Sequence, residues 1–143
     1  MAEQCFKDAY FAIGTSAAPT NLTDHVRSVT INYAAEMLDK TAMQNDSRSR
    51  LAGLKDWSVN VEFNQDYAAG EVDATLFPLI GSTHKYIEIK PTTAVGSATN
   101  PRFHGKCLLE SYPPISGTVG DLATVAAVFQ GDGDLIRAVT SRP

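Results

Sequence analysis

The sequence contains no long apolar run, few charged residues and few cysteines. Hydrophobic residues make up 43% and charged residues 20% of its 143 residues, a globular composition that argues against intrinsic disorder. The longest mostly apolar stretches, 75–80 and 122–129, fall well short of the roughly 20 residues that a membrane-spanning helix needs. The N-terminus carries an acid where a secretory signal would carry bases. We therefore expect a single domain over residues 1–143, made in the cytosol, with no membrane span.

Basic residues are also scarce. The chain has 12 lysines and arginines against 16 acidic residues, a net charge of -4 at pH 7, and no lysine or arginine run. Proteins that hold nucleic acid through its phosphates need such a basic cluster. The sequence therefore predicts no stable nucleic-acid binding, and any DNA that meets this protein should slide past it.

The two cysteines, Cys5 and Cys107, have no evident chemical role. They could form a disulfide, but without a secretory signal the reducing cytosol favours free thiols. We assign no chemistry to either residue.

Residue types that carry catalysis or bind metals are present, but not at useful spacings. His25, His84 and His104 have no ligand partners at zinc intervals, and Asp132 and Asp134 lack the remaining oxygen ligands of a calcium loop. There is no Gly-x-Ser-x-Gly turn and no phosphate-binding loop. We predict no catalytic residue, no metal and no cofactor, and therefore a protein that is not an enzyme.

Two segments alternate between apolar and polar residues, the pattern of a strand with one buried face. The apolar positions are Val29, Ile31 and Tyr33 in the first segment and Trp57, Val59, Val61 and Phe63 in the second. The polar positions are Ser28, Thr30, Asn32, Ser58, Asn60, Glu62 and Asn64. This polar face is almost uncharged, which is unusual for a solvent-exposed surface. From the alternation alone, however, this face could equally be the solvent-exposed side of an isolated sandwich.

Five further strands are predicted at 10–14, 85–90, 102–110, 122–130 and 135–140, separated by glycine, proline, asparagine and aspartate turns. About seven strands indicate a mainly β protein, a β-sandwich or barrel. One helix is predicted over 71–79, with Val72 and Leu76 facing the sheet. The predicted core anchors are Trp57, Val59, Val61, Phe63, Val72 and Leu76.

The segment 35–53 shows no sustained periodicity and is predicted to be a long loop. Loops of more than about 12 to 15 residues in a compact domain are usually functional or disordered. We expect this one to contact another chain through both apolar and charged side chains. The candidates are Met37, Lys40, Met43, Asp46, Arg48 and Arg50.

Several segments, in this order, resemble the tail tube (major tail) proteins of bacteriophages with long non-contractile tails. They are LTDHVRSV at 22–29, GLKDWSVNVEF at 53–63, VDATLF at 72–77, GKCLLESY at 105–112 and SGTVGDL at 116–122. Each segment is weakly diagnostic, and their order along most of the chain carries the resemblance.

The resemblance implies a β-sandwich with one flanking helix that assembles into hexameric rings. Stacked rings would form a hollow conduit in the virion tail, and the polar face of the two long strands would line its lumen. The subunit would be made in the host cytoplasm, and DNA would be present only in transit. Further partners would be the tape measure, tail terminator and tail-tip proteins. Two alternatives remain open: a small ligand-binding β-barrel, and another tail or head-completion protein of similar fold.

Overall fold

The computed structural model describes residue 7, residues 9–15 and residues 19–140. Within them, eight strands and one α-helix follow in the order β1 (Tyr10–Gly14), β2 (Pro19–Asn21), β3 (Val26–Asp39), β4 (Arg50–Asn64), α1 (Val72–Leu76), β5 (Lys85–Lys90), β6 (Arg102–Ser111), β7 (Thr124–Gly131) and β8 (Ile136–Ala138). Single 3₁₀ turns precede β3 at Thr23–His25 and follow α1 at Phe77–Leu79. No helix in this described part is long and apolar enough to cross a membrane.

All strand pairs are antiparallel, and the strands form one sheet in the order β2-β1-β5-β6-β7-β4-β3, with β8 paired to β6. The predicted mainly β fold with one flanking helix is therefore confirmed. The helix is shorter than predicted. Pro78 falls in the turn after Leu76, where a residue without an amide donor suits a 3₁₀ turn better than a continued α-helix.

The segment 35–53 is not a loop, and this prediction was wrong. Strands β3 and β4 stay paired as far as Asp39 and Arg50, so the connection shrinks to 40–49. A register shift between Ala35 and Met37 interrupts the alternation. Both faces of the extension beyond this bulge are largely exposed. Neither face needs apolar residues there, and the period-two signal of a half-buried strand is lost.

The sheet folds around a core in which Phe11 of β1 contacts Phe63 of β4 edge-on, with ring centroids 5.4 Å apart. This contact joins β1 and β4, which lie near opposite ends of the strand order, and the fold is therefore a sandwich rather than an open sheet. The six residues expected to anchor the core are all buried: Trp57, Val59, Val61, Phe63, Val72 and Leu76.

Trp57 occupies a space that two glycines leave open. A Cβ atom added to Gly131 would lie 2.3 Å from the indole Nε1, and one added to Gly105 would lie 2.9 Å from Cζ2. The indole Nε1 donates a hydrogen bond to the carbonyl of Gly133 at 3.0 Å. The ring is thus fixed by packing and by one polar contact at the turn that follows β7.

Candidate assembly surfaces

The polar face predicted from the alternation is a continuous surface in the structure. Ser28 lies opposite Glu62, Thr30 opposite Asn60 and Asn32 opposite Ser58. On the other side of β4, strand β7 continues this side of the sheet with a mixed face: Thr124 lies opposite Asn64 and Gln130 opposite Ser58, whereas Ala126 lies opposite Glu62 and Val128 opposite Asn60. The seven residues Ser28, Thr30, Asn32, Ser58, Asn60, Glu62 and Asn64 therefore share one side of neighbouring strands, away from the core.

This polar face also contains one cation that the alternation did not predict. Arg27 lies at a register shift between Val26 and Ser28, and its Nη1 is 3.3 Å from Oε1 of Glu62. A strict period of two would place Arg27 on the opposite, apolar face, and the bulge brings its side chain to the polar face instead. Both side chains are about half exposed, so the pair contributes little to stability. Its effect is to neutralise the carboxylate of the face.

Strand β3 is the last strand of the sheet, and among the described residues only β4 pairs with it. Its outer edge therefore presents unpaired backbone groups along 14 residues. A long exposed edge is a template for pairing with another chain, and monomeric proteins usually shorten, charge or cover such edges.

The β3–β4 hairpin continues past the core as an exposed projection. Its apolar side chains are Met37, Leu38, Met43, Leu51 and Leu54, of which Met43 is 96% and Leu54 82% exposed. The charged residues proposed for contacts, Lys40, Asp46, Arg48 and Arg50, are exposed on the same projection.

The hairpin tip is held by Asp39. Its carboxylate accepts hydrogen bonds from the amide of Thr41 at 2.9 Å and from Nη1 of Arg48 at 3.0 Å. Hydrogen bonds from Thr41, and then from Arg48, lower the pKa of Asp39. The tip is thus a turn fixed by hydrogen bonds, and Met43 points outward from it.

An apolar groove of about 340 Å³ opens beside β3. Its lining residues are Val29, Ile31 and Tyr33 from β3, Ile89, Lys90 and Pro91 from the end of β5, Phe103 from β6, and Leu135. The alternating pattern predicts a core position for the three β3 residues in the same way as for those of β4. It gave no sign that this half of the core face would lie open.

A cluster of one histidine and three carboxylates joins the start of β3 to the start of α1. Nε2 of His25 lies 2.6 Å from Oε2 of Glu71 and 3.7 Å from carboxylate oxygens of Asp24 and Asp66. Asp24, His25 and Glu71 have the ligand types and proximity to hold a metal ion. Spacing rules missed this cluster because its two halves are 46 residues apart. The expectation of no metal stays a prediction.

The thiol of Cys107 is buried, and this burial raises its pKa to about 12. A thiol with so high a pKa carries almost no thiolate at neutral pH and is chemically inert. Cys5 lies outside the described residues.

No family of known proteins and no curated protein matches this sequence. Solved structures do match its fold. The tail of an empty gene transfer agent particle with C6 symmetry superposes with a TM-score of 0.73 at 17% identity, covering 94% of this chain and 98% of that chain. The SPP1 tail tube gives 0.72 at 12% identity, covering 94% and 78%. The sheath/tube terminator of an extracellular contractile injection system gives 0.68 at 14% identity, covering 94% and 96%.

These similarities define the fold class. The chain has the tail tube fold that is shared by phage and phage-like particles, and the resemblance seen in the sequence is confirmed at the level of the fold.

Proposed function

We propose that this protein is a structural tail tube subunit that assembles as stacked hexameric rings. The match to the C6-symmetric tail carries the proposal, because it extends over nearly the whole of both chains. The role needs no catalytic group, and the protein is proposed to be non-enzymatic. It would be made in the host bacterial cytoplasm and reside in the virion tail. Its other partners would be the tape measure, tail terminator and tail-tip proteins, with DNA passing through.

The strand order supports a lumen built from four neighbouring strands, β6, β7, β4 and β3. Six copies would give about 24 strands, and a spacing of ~4.8 Å at ~45° tilt gives a circumference of roughly 160 Å. The backbone diameter is then about 50 Å, which leaves roughly 40 Å of lumen after the side chains. A DNA duplex fits through such an opening.

The polar face suits the wall of this conduit. Its hydroxyl and amide groups are hydrated without attracting phosphate, and the carboxylate of Glu62 is paired with Arg27. A wall of lysines and arginines would hold DNA through counterion release and slow its passage. We therefore place Ser28, Thr30 and Asn32, with Ser58, Asn60, Glu62 and Asn64, at the lumen.

The exposed hairpin is proposed to join neighbouring rings or subunits. From Tyr33 to Asp39 it extends about 20 Å at ~3.3 Å per residue, which is four times the spacing between strands. With a strand tilt near 45°, the tip must reach over an adjacent copy. Exposed Met37, Met43 and Leu54 then find apolar partners that the subunit alone lacks.

Electron microscopy of the purified protein tests the assembly. The wild type should form rings or tubes of constant width. A variant with residues 40–48 replaced by a short glycine-serine linker should remain folded but form no tubes, because the core strands are untouched and the tip contacts are gone. A control with Gln44→Gly alone, at a position where φ is already 73°, should assemble normally. Tubes of normal length from the linker variant would contradict the role of the hairpin, whereas a wild type that stays monomeric at high concentration would contradict tube formation.

Two alternatives have specific support. The groove volume lies in the range of small-molecule sites, which fits a ligand-binding protein. The similarity to a sheath/tube terminator fits a tail-completion protein. Microscopy separates both from the proposal: a ligand-binding protein stays monomeric, and a terminator forms single rings that do not stack.

A further inference from the structure

The apolar groove beside β3 is an unfinished part of the core. Val59 and Val61 on β4 are fully buried, yet Val29 and Ile31 on the same side of the next strand are only half buried and Tyr33 is 50% exposed. Strand β3 overhangs the layer that covers β4. An apolar groove of this kind, open along the edge of a sheet, is typical of a surface that another molecule covers.

The groove offers little to a charged ligand. Lys90 lines it, but its Nζ lies 4.5 Å above the ring of Tyr10 and donates a hydrogen bond to the carbonyl of Ala94 at 2.9 Å. With the ammonium engaged there, the lysine contributes mainly its aliphatic stem. The remaining lining residues are apolar or aromatic. The occupant should therefore be an apolar side chain.

The same chain exposes apolar side chains at the other end of the four neighbouring strands β6, β7, β4 and β3, beside β6. Ile80 forms a bridge with Leu109 of β6, so the 3₁₀ turn Phe77–Leu79 lies along that border. The preceding helix buries Val72 and Leu76 in the core, which places the turn on the core side of the sheet. Phe77 is 61% and Ile80 47% exposed.

A closed ring brings these two borders together. Heterologous contacts join one patch of a subunit to a different patch of the next, and repeating them around a rotation axis closes the ring. The β3 border of one copy would then meet the β6 border of its neighbour beyond Cys107, where the pairing of β6 with β5 has ended and Ile80 bridges Leu109. We propose that Phe77 and Ile80 of one subunit fill the groove formed by Val29, Ile31 and Tyr33 of the next. This assignment rests on the proposed ring assembly and names its lateral contact.

Disulfide trapping tests the contact in assembled protein. In a Cys5→Ser background, where the buried Cys107 is the remaining native thiol, Tyr33→Cys is combined with Phe77→Cys. Both positions are at least half exposed, so folding should be preserved. Mild oxidation of tubes should give a ladder of bands from dimer to hexamer on a non-reducing gel, and reductant should return all bands to the monomer. Each single variant, oxidised in parallel, should remain monomeric on the gel.

The control is a second cysteine pair that the proposed contact does not bring together. Tyr33→Cys with Val119→Cys replaces Phe77 by a fully exposed apolar position and should give less than a tenth of the cross-linked product. Tubes without a ladder, an equal ladder from the control pair, or a ladder that stops at the dimer would each overturn the contact while leaving tube formation intact. A wild type that forms no tubes would overturn the ring itself. A monomer that binds the apolar dye anilinonaphthalene sulfonate, with binding abolished by Ile31→Asp, would assign the groove to a small ligand instead.

Discussion

Replacing Gly131 by alanine tests how the only tryptophan is held in the core. The new Cβ would lie 2.3 Å from both Cε2 and Nε1 of Trp57 and 2.6 Å from Cδ1. Ordinary carbon contacts lie at about 3.5 to 4.0 Å, so the indole must move by more than 1 Å. The ring is 2% exposed and has little free space to enter.

The expected loss of stability has two parts. Overpacking a well-packed core costs about 1 to 3 kcal/mol. A displaced ring also loses the hydrogen bond from Nε1 to the carbonyl of Gly133, and an unsatisfied buried N–H costs about 1 to 3 kcal/mol. We expect Gly131→Ala to lower the free energy of unfolding by about 3 kcal/mol and the Tm by roughly 10 °C for a chain of this size.

Urea unfolding of the monomeric subunit, followed by tryptophan fluorescence, measures this loss. Gly53→Ala is the matched control, because it is also a strand glycine but its new Cβ meets only Glu36, at 3.2 Å from Oε2. Its effect should stay within about 0.5 kcal/mol, as for other surface changes. In a Trp57→Phe background, followed by circular dichroism, the cost of Gly131→Ala should fall by at least half. Equal costs in both backgrounds would refute the packing argument.

Two further predictions concern the lumen and the buried thiol. Asn60→Arg adds six cations to each proposed ring, and it should leave the tubes intact but slow DNA release in a salt-dependent way. Asn60→Gln is the control, and release from the Asn60→Arg tubes at the wild-type rate would count against Asn60 lining the lumen. Because burial raises the pKa of Cys107 to about 12, native Cys5→Ser protein should resist iodoacetamide at pH 8 and react only as the pH approaches 12 or after unfolding, as mass spectrometry would show. Rapid labelling of the native protein at pH 8 would mean that the thiol is accessible.

The sequence predicted the parts of the fold in which one strand face is buried. Between Trp57 and Phe63 every second residue is in the core, and the alternation is therefore visible in the amino acids. The same rule fails for the hairpin extension, where both faces are exposed and a bulge after Ala35 shifts the register. A strand that buries neither face has no hydrophobic pattern to read.

The surfaces were less accessible to sequence reasoning than the core. Arg27 reaches the polar face only through a bulge, and His25 meets Glu71 across 46 residues. The groove was hidden for a different reason. Ile31 on β3 and Val59 on β4 have the same alternating pattern, and only the tertiary structure shows that the covering layer stops before β3.

Three exposed features of the subunit lie on or beside one strand. No strand in the described part of the chain pairs with the outer edge of β3, its core-side residues Ile31 and Tyr33 line an open groove, and its continuation carries Met37 into the exposed hairpin. Unrelated partners would have to cover these features one by one. In the proposed ring, a second copy related by rotation would cover them in a single operation that then repeats until the ring closes. The position of all three features on β3 is therefore best explained if the core of each subunit is completed by its neighbour in the proposed ring.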